Sequence, residues 1–240
     1  MPVVFVHGVP DTHHVWSPVI ARIDRADVVA PDLPGFGGAP RPDGFAATKD
    51  DYVAWLVEQL RRLDGPVDLV GHDWGSLLVQ RVASVAPDLV RTWTAGGAAI
   101  DPDYEWHDMA KLWQTPEVGE QVMAVMAGDA VVDSLAGAGV PRDHAVAAAT
   151  RLDDEMRACI LALYRSAVEV QHEWAPDLDR ITAPGLVLHG ARDPYVHPDH
   201  ARYLGGRTGA RVEILDCGHW WELERPDEVA ALLTAHWAAA

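Results

Sequence analysis

The chain has 240 residues, 49% of them apolar and 23% charged, which is enough hydrophobe for one sizeable core and too much for a disordered segment. Nineteen Lys and Arg against 36 Asp and Glu leave a net charge of -17, which argues against nucleic acid or an anionic membrane as a partner. Cys159 and Cys217 alone make neither a disulfide framework nor a four-cysteine metal site, and no apolar run reaches the roughly 18 residues of a membrane span, so the expected location is the cytoplasm.

Short β-branched runs alternate with longer periodic segments, the pattern of a parallel sheet wrapped by helices. Val3 to Val6 reads as the first strand, and with no basic region before it, it is not a signal peptide. Val15, Val19, Ile20 and Ile23 then share a helical face, and Val28 to Ala30 is a second strand. Thr48 opens the next helix with Asp51 as its capping partner, and Val53, Leu56, Val57, Leu60 and Leu63 form its inward side before Gly65-Pro66 ends it. Val67 to Val70 is a third strand, followed by a helix from about Ser76 that stops before Pro87. Between Asp101 and Pro176 the alternation fails and helical segments follow one another, so a helical insertion is expected there. Strands at Thr92 to Ala95, Gly185 to Leu188 and Arg211 to Leu215 complete a set of six, and Pro226 starts a last helix that turns Val229, Leu232 and Leu233 inward.

Gly71-His72-Asp73-Trp74-Gly75 lies between a strand and a helix, the context of a nucleophile elbow, with glycines flanking a central residue that is here Asp73. No Gly-x-Ser-x-Gly occurs elsewhere, which speaks against an ordinary serine esterase or lipase. A carboxylate at such a turn can attack a saturated carbon and form an alkyl ester. His219, after the last strand, can act as general base on the water that cleaves the ester, and Asp193, after the strand before it, can orient the imidazole. The backbone N–H groups of Val9 and Trp74 offer an oxyanion hole, Pro10 is a candidate for a cis bond, and Asp101 is a reserve acid.

These segments, together with His7-Gly8-Val9-Pro10 and Asp32-Leu33-Pro34-Gly35-Phe36-Gly37, resemble the α/β-hydrolase superfamily, in particular the aspartate-nucleophile branch of epoxide hydrolases and haloalkane dehalogenases. The resemblance covers nearly the whole chain. It implies an α/β class, α/β-hydrolase core of residues 1–100 and 177–240, a helical cap of 101–176, and no cofactor or metal. Members usually carry two strands ahead of the first one here, so a mostly parallel sheet of about six strands is expected, with Val28 to Ala30 as an open edge that invites a homodimer or a cover.

The branch divides on the leaving group. Tyr164, in Leu163-Tyr164-Arg165-Ser166, resembles the second of two cap tyrosines that protonate an opening epoxide, whereas Met109 stands at the position of the first, leaving Tyr164 alone or with Tyr104 or His107. Trp74 resembles the tryptophan that donates to a departing halide, but epoxide hydrolases often share it, and Val9 stands where many dehalogenases have asparagine or glutamate. A cap tryptophan, Trp106 or Trp113, can supply a second halide donor. Trp74 also occupies the place of the arginine that fluoroacetate-type enzymes use for a substrate carboxylate. His7, Pro10, Trp106, Met109, Trp113 and Trp220 are expected along the pocket for a small apolar substrate. The leading expectation is an epoxide hydrolase, the alternative a haloalkane dehalogenase, and the rival outside enzymes a non-catalytic ligand-binding member of the fold. His197 and His200 lack a third metal ligand, and Cys217 reads as a packed thiol.

Overall fold

The computed structural model describes residues 1–240. Six strands, β1 Val3–Val6, β2 Val28–Val29, β3 Val67–His72, β4 Val90–Gly96, β5 Gly185–Gly190 and β6 Arg211–Leu215, form one sheet in the order β2-β1-β3-β4-β5-β6. Every neighbouring pair is parallel. β1 and β3 are buried along their whole length, as strands covered on both faces must be; β1 is an unbroken apolar run, and β3 is apolar apart from Asp68 and His72.

All six expected strands are present, β1 and β6 with the expected ends and the other four with shifted ones. β3 runs two residues beyond Val70, because Gly71 and His72 keep pairing with Ala95 and Gly96 of β4, and this extension carries the strand straight into the elbow. β2 shrinks to two residues at the sheet edge, and a strand that short exposes few unpaired backbone groups. β1 lies beside β3 while its own connection leads away to β2, so the strand order reverses between them. In open parallel sheets the crevice at the carboxyl ends of such a switch point is where ligands bind. The segments after β1 and β3 therefore meet there.

Thr48 caps the helix Lys49–Arg61: its hydroxyl accepts the Asp51 N–H while the Asp51 carboxylate accepts the Thr48 N–H. The inward stripe of that helix is Tyr52, Leu56 and Leu60, one turn apart, with Val53 and Val57 only half-buried at its sides. The elbow helix Trp74–Val85 begins two residues before Ser76, and the face read at Val15 to Ile23 is a 3-10 turn, His13–Trp16, followed by the short helix Ser17–Ile20. The last helix, Pro226–Ala239, buries Val229 and Leu233 and leaves Leu232 half-buried.

Residues 101–176 hold six α-helices and no strand. Met156, Ile160, Leu163 and Val170 of this stretch join the same apolar cluster as the strands, so it is packed onto the sheet domain's core and does not have one of its own. No helix is long and apolar enough to cross a membrane.

The capping box gives a direct stability expectation. Thr48→Ala removes one acceptor from the helix start and should lower stability by about 1 kcal/mol, a fall of roughly 2–4 °C in the thermal midpoint for a chain of this size. A calorimetric scan of both proteins checks it, and an unchanged midpoint would mean the box contributes nothing.

Candidate active site

β3 ends at His72 and the elbow helix starts at Trp74, so one residue makes the turn. Asp73 takes φ 52° and ψ -121°, a conformation that costs a non-glycine residue about 1–3 kcal/mol and persists only where the surroundings enforce it. Those surroundings are tight: a Cβ on Gly71 would overlap the Gly75 carbonyl, and one on Gly75 would overlap the Val6 carbonyl. Gly8 is confined in the same way by the Asp73 carboxylate itself.

The Val9 N–H donates to Asp73 Oδ1 at 2.7 Å, next to a cis Val9–Pro10 peptide. The Trp74 N–H, in the first turn of its helix, has no intrahelical acceptor and is the second amide at the elbow. Asp73 Oδ2 lies 3.7 Å from His219 Nε2, and His219 Nδ1 donates to Asp193 Oδ2 at 2.7 Å. Asp193 Oδ1 accepts the N–H groups of Tyr195 and Val196 at 2.8 and 3.1 Å, which fixes the carboxylate from both ends.

Burial opposes charge on all three side chains, and their neighbours outweigh it. Asp73 is held below the ordinary carboxylate range by His219 and the Val9 N–H, and Asp193 chiefly by His219. His219, facing both carboxylates, is held well above the ordinary histidine value. The group is therefore a carboxylate, an imidazolium and a second carboxylate in sequence.

Asp73, His107, Tyr164, Tyr195 and His219 stand on the walls of two cavities. The outer one, about 500 Å³, runs past Val9, Pro10, Met109, Trp113 and Trp220 and is in the size range of small-molecule sites. The inner one, about 20 Å³ and bounded by Trp74, Leu77, Gly97, Trp106 and Gln171, has room for little more than one water-sized group. No Lys or Arg lies on either wall. Tyr164 is buried edge-on to Trp74 and Trp113, with ring centroids 5.4 and 4.9 Å away. Burial, then the charge of Asp73, push its phenol well above the usual value, so it keeps its proton.

The site expectations need three corrections. His7 is on neither wall: it is fully buried, its Nδ1 donating to the Gly8 carbonyl and its Nε2 accepting the Leu33 N–H, both at 2.9 Å, so it fastens the loop after β2 to the end of β1. Trp106 lines the inner cavity but spends its indole N–H on the Ala167 carbonyl at 3.2 Å, with its face stacked on Trp74, and has no donor left for a halide. Asp101 pairs with His200 Nδ1 at 2.7 Å and not with His219, which also removes the His197 and His200 metal pairing. The possible helper His107 accepts the Ala110 N–H on Nδ1 at 3.2 Å, so its Nε2 carries the proton.

Other expected residues lie where they were placed. Pro10, Met109, Trp113 and Trp220 line the outer cavity, and the Trp220 indole is oriented by Asp11 Oδ2 at 2.8 Å. The indole N–H groups of Trp74 and Trp113 are buried without a partner. Cys217 is buried and its thiol pushed up to about 12, which rules out a thiolate nucleophile near neutrality. Tyr195, edge-on to His219 at 5.0 Å, was not anticipated, and its only signal in the sequence is its place two residues after Asp193.

Residues 3–232 match the model of the alpha/beta hydrolase family. The chain is 30% identical to a protein of Mycobacterium tuberculosis described as Lipase LipV, over 96% of this chain and 91% of that one. It is 27% identical to a haloalkane dehalogenase of Mycolicibacterium paratuberculosis, over 95% of this chain and 81% of the relative. Among solved structures, epoxide hydrolase VrEH1 from Vigna radiata superposes with a TM-score of 0.82 at 18% identity, covering 100% of this chain and 92% of that one. With a six-stranded parallel sheet, an elbow after β3 and a family match along nearly its whole length, the chain belongs to the alpha/beta hydrolase family.

Proposed function

We propose that this protein is a cofactor-independent epoxide hydrolase that uses Asp73 as nucleophile and turns small apolar epoxides into diols. The observation that carries the reading is that the protonated Tyr164 shares both cavity walls with Asp73 and His219, so acid, nucleophile and base face one space. Asp73 Oδ2 attacks a ring carbon, the C–O bond breaks, and the alkoxide takes the Tyr164 proton. Oδ1 becomes the ester carbonyl, still held by the Val9 N–H. Esterification removes the charge that helped hold His219 protonated, so the imidazole gives up its proton, which restores Tyr164. Neutral His219 then takes a proton from water as that water attacks the ester carbon, with the oxyanion between the Val9 and Trp74 amides. Collapse expels the product oxygen as an alkoxide, which takes the remaining proton of the added water, so the diol leaves, Asp73 is again a carboxylate and His219 again an imidazolium.

The cavity walls narrow the substrate. With no Lys or Arg on either wall, and the His219 charge already shared between Asp73 and Asp193, a substrate carboxylate finds no cation of its own, so the substrate is neutral. An inner cavity of about 20 Å³ leaves little room beyond Asp73, so the bulk of the substrate lies in the outer cavity and a terminal epoxide fits better than an internal one. A second reading, haloalkane dehalogenase, is favoured by the unpartnered indoles of Trp74 and Trp113, which suit a halide, and by Met109 in place of a second tyrosine. The lipase description of one relative does not transfer, since the elbow residue here is Asp73.

A paired assay of diol from epoxides and halide from bromoalkanes tests the choice. Asp73→Ala should abolish turnover and His219→Gln should accumulate an alkyl adduct visible in the intact mass. Tyr164→Phe should slow epoxide opening by about 100-fold or more. Halide release without diol, insensitive to Tyr164→Phe, would replace the first reading by the second.

A terminal epoxide should exceed its internal isomer in kcat/KM by about tenfold or more, the discrimination a tight pocket can supply. Equal values would refute the confinement argument.

The two steps should separate with pH. Asp73 stays ionised to below the ordinary carboxylate range, whereas the base form of His219 is lost first as pH falls. Adduct should therefore accumulate at about pH 5 and not at about pH 8, as read by mass after rapid quenching. An adduct fraction that does not change with pH would remove His219 as the base.

A further inference from the structure

Among the ionisable side chains with no exposed surface that stand on neither cavity wall, two lie directly behind the site: His72, just before the elbow residue, and Glu222, in the short helix Trp221–Glu224 after His219. His72 Nε2 is 3.0 Å from the carbonyl oxygen of His219. A carbonyl only accepts, so Nε2 carries a hydrogen. On the other side, Glu222 Oε1 is 3.0 Å from His72 Nδ1, off the axis of an ideal bond, and neither oxygen of that carboxyl has another protein partner. A lone pair on Nδ1 facing a bare carboxylate is repulsive, so the pair holds one further proton.

His219 decides where the proton resides. Its ring centroid is 4.7 Å from that of His72, and a second imidazolium so close would oppose the charge His219 carries. We infer that Glu222 is a neutral carboxylic acid that donates to His72 Nδ1, and that this pair positions His219 by gripping its backbone carbonyl from the elbow side. The groups facing the pair agree. They are Asp11 after β1, Asp73 at the elbow, and Cys217 and His219 after β6, of which only His219 is cationic. Burial first, then Asp11 and Asp73, outweigh the opposing pull of His219 and place the Glu222 carboxyl well above its ordinary value. Burial and then His219 bring His72 down to about 4.

The positioning role rests on the proposed hydrolytic function of His219, whereas the placement of the proton does not, and two measurements keep them apart. The first compares thermal midpoints of wild type and Glu222→Gln, without substrate, from about pH 5 to about pH 9. Unfolded Glu222 ionises near 4.3, so above that value wild type must take up a proton to fold that the Gln variant does not need. Stability present below that pH is lost as pH rises toward the folded value. The Gln variant should therefore gain on wild type by tenfold in the folding equilibrium per pH unit, about 3–5 °C in the midpoint. Wild type should also show a protonated-carboxyl infrared band that Glu222→Gln lacks. Parallel midpoint curves, or no such band, overturn the inference.

The second measurement follows decay of the alkyl adduct after mixing with a terminal epoxide. Glu222→Gln keeps a donor toward His72 Nδ1 and should restore near wild-type decay, whereas Glu222→Leu should slow it by about tenfold or more through misplacement of His219. Equal decay in the Gln and Leu variants overturns the positioning role. Absence of any adduct in wild type at about pH 5 overturns that role together with the functional reading, while the midpoints still decide the proton.

Discussion

An ionised carboxylate withdrawn from bulk water at the tip of a strained turn is unstable by itself, and much of the site is arranged to offset it. Asp73 combines a positive φ with little solvent contact, so it needs donors that do not have to be ordered when substrate arrives. The Val9 N–H supplies one, and it reaches Oδ1 only because Gly8 has no side chain. His219 supplies the opposing charge and then needs a partner of its own, which is why Asp193 is clamped by two backbone amides. These groups come from the ends of β1, β3, β5 and β6, so the parallel order of the sheet is what brings them to one place.

What was legible in the sequence is what depends on neighbours in the chain. Asp73 between Gly71 and Gly75, the capping box at Thr48 and the placement of Asp193 and His219 after successive strands are local patterns, and the fold keeps them. His7 was misplaced because its partner, the Leu33 N–H, comes from a loop 26 residues later and turns a candidate pocket residue into a brace. Trp106 lost its donor to the Ala167 carbonyl, and Asp101 found His200 in place of His219, contacts set by how the helical stretch packs on the sheet. The Glu222 and His72 pair was invisible for the same reason, since the two are 150 positions apart and each alone reads as an unremarkable polar residue. On the helix Lys49–Arg61 the apolar pattern was right about the helix but off by one residue about its face, because Tyr52 turns inward to donate to the Pro34 carbonyl.

The charge of Asp73 links the two halves of the proposed cycle. While it is ionised it helps hold His219 protonated, and once it is esterified that support is gone. The same imidazole thus changes from acid to base without moving, with Asp193 keeping its orientation. A neutral Glu222 next to His72 fits this scheme, because it leaves His219 as the one cation whose proton has to move.

What depends on the bond broken first is the fate of the His219 proton, which restores Tyr164 after an epoxide opens and passes to solvent after a halide leaves. A halide leaves as a stable anion and needs only N–H donors, whereas an epoxide oxygen leaves as an alkoxide nearly as basic as hydroxide. Burial makes Tyr164 a weaker acid than a free phenol, which at first sight argues against the epoxide reading. The comparison that matters is with the alkoxide, and the same low-dielectric surroundings that discourage a phenolate discourage the alkoxide at least as much. Proton transfer from Tyr164 therefore stays downhill at the moment the ring opens. In the resting enzyme the raised value serves a second end, since it prevents Tyr164 from ionising beside Asp73 and repelling it.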